Sequence, residues 1–321
     1  MRARILAVAT MMAGSTLIGA AGPAVAAVPP ECADSAQKLA ALGSVAEVAV
    51  PAVCVPVGAS VMVGGFALKV PPAGEGVGVY DSLEEGVDRL AGVEVESGDG
   101  VLTARADGAG DPAEAPGKLA GPPAACSDTA RAWSGKRNNG YEYFVSSAVL
   151  DDGVTYQMFL DEVKFAAATI DTGRNDCGLG TGGLGINITH KGSTTLRAAN
   201  VDGSCPGSDS WDVIDFGSLP AGVLGRTCTR YTIVPFADDR IVEADVRLSN
   251  RAAWFRTLPS GCYNRYEMAG VLTHEFGHVF GMDHVSESSH GFLTMSTIAT
   301  PCSYVDNTWG RGDYDNLHVH Y

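Results

Sequence analysis

The reading turns on His274-Glu275-Phe276-Gly277-His278-Val279-Phe280-Gly281-Met282-Asp283-His284. This stretch overlaps residues 266–280, where Met268, Leu272, Phe276, Val279 and Phe280 recur at helical spacing and predict a helix. On a helix His274 and His278 lie one turn apart, so both rings leave the same face and can share a metal ion. Glu275 follows the first of them and does not reach the metal itself. Its carboxylate sits where it can accept a proton from metal-bound water. Gly281 lies three residues past His278, and a glycine there can take a positive φ, end the helix and turn the chain back. That turn delivers His284 as the third ligand, with the neighbouring Asp283 as the alternative if the turn runs differently. Three neutral imidazoles leave one tetrahedral position for water, which is the arrangement of a catalytic zinc site rather than a structural one.

The pattern from His274 to His284 resembles that of the metzincin metalloproteases. Leu293-Thr294-Met295-Ser296-Thr297 then offers Met295 as the methionine of the tight turn found beneath the metal in such enzymes. Within that group the chain is most similar to the matrixin branch and to small matrixin-like proteases of secreting bacteria, over residues 126–321. The resemblance implies an α+β catalytic domain: a twisted mixed β-sheet, mainly parallel, with an antiparallel edge strand and three helices, beside a small N-terminal region. It implies Zn2+ held by His274, His278 and His284, with Glu275 as general base and Met295 as a packed floor without chemistry. A protein or peptide substrate would lie along the edge strand as an added strand. Residues 231–248 look like the strand pair that ends in that edge. Ca2+ enters by family analogy only, since no calcium-binding segment is legible. The chain departs from matrixins in two places. No proline and tyrosine follow Met295, and the Pro-Arg-Cys-Gly inhibitory motif is missing from residues 28–125. The nearest stretch is Pro51-Ala52-Val53-Cys54-Val55-Pro56, and its Cys54 is expected to pair with Cys32.

Working outward, residues 158–170 carry Phe159, Val163, Ala166, Ala167 and Ile170 at helical spacing and predict a leading helix. Residues 141–149, 186–189 and 231–236 read as strands. Residues 241–248 alternate, with Val242, Ala244, Val246 and Leu248 on one face and Glu243, Asp245 and Arg247 on the other, which predicts a half-buried strand. A short C-terminal helix follows, with Asp313 as its cap. His190, His290, His318 and His320 read as surface or capping histidines. Upstream, Ala106 to Ala125 has linker composition, and aromatic residues return after it. The expected division is therefore a signal peptide at 1–26, an N-terminal pro-region or accessory segment at 27–125, and the catalytic domain at 126–321.

The signal reading rests on Arg2 and Arg4, the apolar run Ile5 to Ile18 and the small residues Ala24-Val25-Ala26. Eight cysteines follow it, an even number that favours disulfides in an oxidising compartment. The sequence leaves their pairing open, and the simplest arrangement joins sequential neighbours. A net charge of −15 argues against nucleic acid or an anionic membrane surface as partner. The expected protein is a secreted, monomeric zinc endopeptidase that hydrolyses peptide bonds through a zinc-activated water. The alternative is a zinc-bearing extracellular binding or adhesion protein without turnover.

Overall fold

Short alternating apolar runs before residue 108 and longer β-branched runs after residue 140 both fold as strands, and they share one sheet. The computed structural model describes residues 29–107, 124–137, 140–147, 154–304 and 307–321. From the N-terminus, α1 (Ser35–Ala40) is followed by β1 (Glu47–Pro51), a hairpin of β2 (Ser60–Val63) and β3 (Phe66–Lys69), then β4 (Glu75–Leu83), β5 (Gly92–Gly98) and β6 (Val101–Asp107). Next come β7 (Gly135–Arg137), β8 (Tyr141–Ser146), α2 (Tyr156–Thr172), β9 (Ile188–Thr194), β10 (Asp212–Gly217), β11 (Val223–Thr232) and β12 (Asp239–Ser249). The chain ends with β13 (Trp254–Phe255), β14 (Tyr266–Glu267), α3 (Met268–Val279), α4 (Glu287–His290) and α5 (Arg311–His320).

Ten strands form one mixed sheet in the order β1-β6-β5-β4-β11-β12-β10-β8-β9, with β7 also paired to β12. From β1 to β12 every neighbouring pair is antiparallel, and from β12 to β9 every pair is parallel. The expected domain fold is overturned here. The described residues carry five α-helices and one ten-stranded sheet in which the N-terminal strands join the C-terminal strands at the β4–β11 pair, not a smaller sheet with three helices. The run 231–248, expected to end in an edge strand, has no edge: β12 lies between β11 and β10, and β11 is itself paired by β4 from Glu75 to Leu83. The physical reason is that an edge strand leaves a row of N–H and C=O groups unpaired, and the N-terminal segment supplies the strand that pairs with them.

Apolar packing follows the same division. Phe159, Val163 and Ile170 of α2 and Leu272, Phe276 and Val279 of α3 pack against Tyr141, Ile214 and Val246 from the parallel half. Thr155 accepts a hydrogen bond from the Met158 amide to start α2, and Gly173 at φ 61° ends it. A second cluster joins Val63, Phe66, Val79, Val95 and Leu102 with Cys205 and Cys228. The half-buried strand expected at 241–248 is instead buried on both faces from Glu243 to Leu248. Val242 is exposed, while Glu243, Asp245 and Arg247 are buried. They are tolerated because they are paired, Arg247 placing two guanidinium nitrogens on the Asp215 carboxylate at 2.6 and 2.7 Å. Asp313 stands in the first turn of α5 rather than at its cap, and its carboxylate accepts from the Gly310 amide at 3.1 Å.

Four disulfides join Cys32–Cys54, Cys126–Cys177, Cys205–Cys228 and Cys262–Cys302, the sequential arrangement. Among the described residues no helix is long and apolar enough to cross a membrane. The expected signal peptide and all but the ends of the expected linker lie outside the described residues, and Ala106 and Asp107 prove to be the last residues of β6.

Candidate metal centre

The histidines are positioned by a helix that is buried along its whole length. Its end is set by Gly281, whose φ is +91°. A Cβ there would stand 1.6 Å from the Gly135 carbonyl oxygen, so no other residue can make this turn beside β7. The Gly281 and Met282 amides donate back to His278 and Gly277 at 3.0 Å each, closing the helix as a glycine C-cap does. The chain then reverses and brings His284 onto the open side of His274 and His278.

The three Nε2 atoms converge, 3.0 Å apart for His274 and His284 and 3.1 Å for each of the other pairs. Every Nδ1 faces an acceptor. His274 Nδ1 donates to the Thr294 carbonyl and His278 Nδ1 to the Met282 carbonyl, both at 2.7 Å, and His284 Nδ1 donates to the Asp107 carboxylate. With the protons on Nδ1, each Nε2 presents a lone pair to the other two. Three converging lone pairs without a proton among them repel, and a cation at their centre removes the repulsion. A tetrahedral zinc with imidazole ligands holds its nitrogens about 3.3 Å apart, within a few tenths of an ångström of the spacing found. Burial pushes His274 down to about 3, with the neighbouring His284 adding to the effect, and pushes His278 well below the usual imidazole range. Both groups are therefore held neutral, the form that binds metal. The donor set fits zinc.

Glu275 is wholly buried, and both carboxylate oxygens are engaged. Ser82 Oγ donates to Oε1 and Thr227 Oγ1 to Oε2, each at 2.5 Å. Burial outweighs these bonds and pushes Glu275 up to about 7. Gly225 leaves the space the carboxylate occupies, since a Cβ there would lie 2.3 Å from Oε1. The Tyr80 ring stacks on His278 with centroids 4.4 Å apart and the planes 10° from parallel. Met295 is buried against α3, where a Cβ on Gly277 would meet its sulfur at 2.3 Å. Its turn is fixed from α5, because Asp313 accepts from the Thr294 amide at 2.8 Å and from the Met295 amide at 3.3 Å. The same turn carries the Thr294 carbonyl that holds His274.

A scan of the chain against protein-family models returns no match, and a search of curated proteins returns none either. The geometry therefore carries the argument.

Of the residues read from the sequence, His274, His278 and His284 come together as the only group of three or more metal-capable side chains among the described residues. Asp283 is not part of the group. The other histidines stand apart: His290 on Asp128 at 2.9 Å, His320 stacked on Trp133, His318 on Tyr314 and His190 beside Tyr143. Asp107, Tyr80, Ser82 and Thr227 escaped the sequence reading. They lie from 48 residues (Thr227 and Glu275) to 198 residues (Tyr80 and His278) from the motif residues they touch, beyond any fixed spacing, and only strand register brings them in.

Proposed function

We propose that the chain is a secreted zinc-dependent endopeptidase acting on extracellular proteins or peptides. The observation that carries this is the convergence of three neutral imidazole Nε2 atoms, each oriented through Nδ1, next to a buried carboxylate on the same helix. The sequence resemblance to metzincins supports it through the His274–His284 pattern and Met295. The four disulfides support export to an oxidising compartment. The acidic charge supports the absence of nucleic acid and membrane from its partners, and a monomer is the working state.

His274, His278 and His284 would hold the ion. Zinc in such a setting supplies Lewis acidity, which polarises a peptide carbonyl and makes water a better acid. Glu275 takes the proton of the attacking water and hands it to the leaving amine. A basicity near neutrality suits both transfers, and burial provides it. Ser82 and Thr227 hold the carboxylate in one orientation until a reacting group replaces them. Met295 and Asp313 keep the turn beneath the site rigid.

The alternative, a zinc-bearing binding protein without turnover, is favoured by one observation: the triad and Glu275 are all at most 4% exposed. Casein digestion by the purified zinc-loaded full chain and by its detergent-free, freshly refolded form separates the two readings. Cleavage that is lost with a chelator, restored by zinc and absent in Glu275→Ala supports the peptidase. Bound zinc without cleavage by either form supports the binding protein.

A further inference from the structure

A cavity of about 330 Å3 opens where the loop between β4 and β5 meets the chain that follows the third histidine. Leu83, Val87, Leu90 and Ile298 give it apolar walls, and Arg89 and Glu287 bring one charge of each sign to its border. None of His274, His278, His284 and Glu275 borders it. The Leu83 amide donates to the Thr297 carbonyl at 2.9 Å, and the Ala299 amide donates to the Leu83 carbonyl at 3.1 Å. These main-chain bonds hold the two bordering segments at a fixed separation. Ligand sites in proteins span roughly 300–1,000 Å3, and this cavity lies at the small end, which suits a molecule of amino-acid size.

The two charges border the same space without meeting. The Arg89 side chain is 23% exposed, and the carboxylate it reaches is Asp81, at 3.4 Å. Asp81 is already held by Arg226 at 2.5 and 2.7 Å, so Arg89 has no carboxylate to itself among the described residues. Asp107 also borders the cavity, but its carboxylate accepts from His284 Nδ1. Glu287 forms no ion pair among the described residues, and its Oε2 accepts from the Ile298 amide at 3.1 Å. Burial works against both charged forms, lowering Arg89 and raising Glu287 from their ordinary values. A partly desolvated charge is relieved by an opposite charge in contact with it. A lone carboxylate or a lone amine in the cavity would relieve one of the two and leave the other. A zwitterion relieves both and brings no net charge with it.

We infer that this cavity binds a free α-amino acid with an aliphatic side chain, its carboxylate on Arg89, its ammonium on Glu287 and its side chain against the apolar walls. The site is separate from the metal centre, and it does not rest on the peptidase reading.

Isothermal titration calorimetry of the full chain, metal-free and zinc-loaded, tests this with three ligands. They are L-leucine, isocaproate, which lacks the ammonium, and isoamylamine, which lacks the carboxylate. The expected result is saturable leucine uptake by both forms, with either analogue weaker by about tenfold or more. Arg89→Gln should bind leucine no better than isoamylamine, and Glu287→Gln no better than isocaproate, because in each the pair that distinguishes the two ligands has already gone. The comparison of ligands is made on the unaltered chain, so it decides the matter even where a variant loses its fold in a thermal melt. No leucine uptake overturns the inference, and so do analogues that match leucine or folded variants that bind it as the wild type does. Uptake confined to the zinc-loaded chain overturns it as well, since the amino acid would then be a ligand of the metal. Failure to cleave casein bears on the peptidase reading alone.

Discussion

Asp107→Ala should weaken zinc binding without removing any ligand. Two of the three Nδ1 protons go to main-chain carbonyls, those of Thr294 and Met282, and no substitution reaches them. His284 alone is oriented by a side chain, the buried Asp107 carboxylate at the end of β6. Removing such an outer partner costs roughly 10–100-fold in metal affinity, or about 1.4–2.7 kcal/mol. The upper part of that range is expected here, because the acceptor is charged and the contact is shielded from water. Asp107→Asn keeps an acceptor oxygen without the charge and should fall between Ala and the wild type. The assay is competition for zinc against a chromophoric chelator at constant pH, with urea unfolding of the metal-free chains to confirm that the fold is kept. Affinity for Asp107→Ala within about twofold of the wild type would refute the reasoning, since it would mean that His284 is oriented without Asp107.

Other substitutions have equally definite outcomes. Gly281→Ala combines a left-handed backbone with a Cβ 1.6 Å from the Gly135 oxygen. It should cost about 3 kcal/mol or more in urea unfolding and lower zinc affinity with it. Met295→Ala empties a packed site beside Gly277 and should cost about 2–5 kcal/mol while one equivalent of zinc still binds in equilibrium dialysis. Glu267 at the start of α3 is buried with Oε2 unpartnered, and burial pushes it up to about 7. A carboxyl whose proton is held more tightly in the folded state lends stability at low pH that is lost as pH rises from its unfolded value through about 7. Thermal melts at pH 5 and 8 should therefore show a loss of stability at the higher pH that is smaller in Glu267→Gln.

The grouping of the three histidines was legible in the sequence because a helix fixes the geometry of His274 and His278, and a glycine that ends it fixes the return of His284. The helices α2 and α3 were legible for the same reason, each carrying an apolar stripe of its own. The sheet was not. Pairing of β4 with β11 is a contact between segments some 150 residues apart, and nothing local in Glu75–Leu83 names its partner. Alternation along 241–248 suggested one wet face, but the charged face is closed by Asp215 and by neighbouring loops that only the tertiary structure supplies. Asp107 fell in a stretch of linker composition, and its role depends on where β6 ends in space.

The most direct test of the central claim is X-ray absorption at the zinc edge of the chain loaded with one equivalent of zinc. The account predicts a four-coordinate shell at about 2.0–2.1 Å with the scattering of three imidazoles and one oxygen, and the same three imidazoles in Glu275→Ala. A chain that retains no zinc, or a shell with fewer imidazoles than the three of His274, His278 and His284, would contradict it.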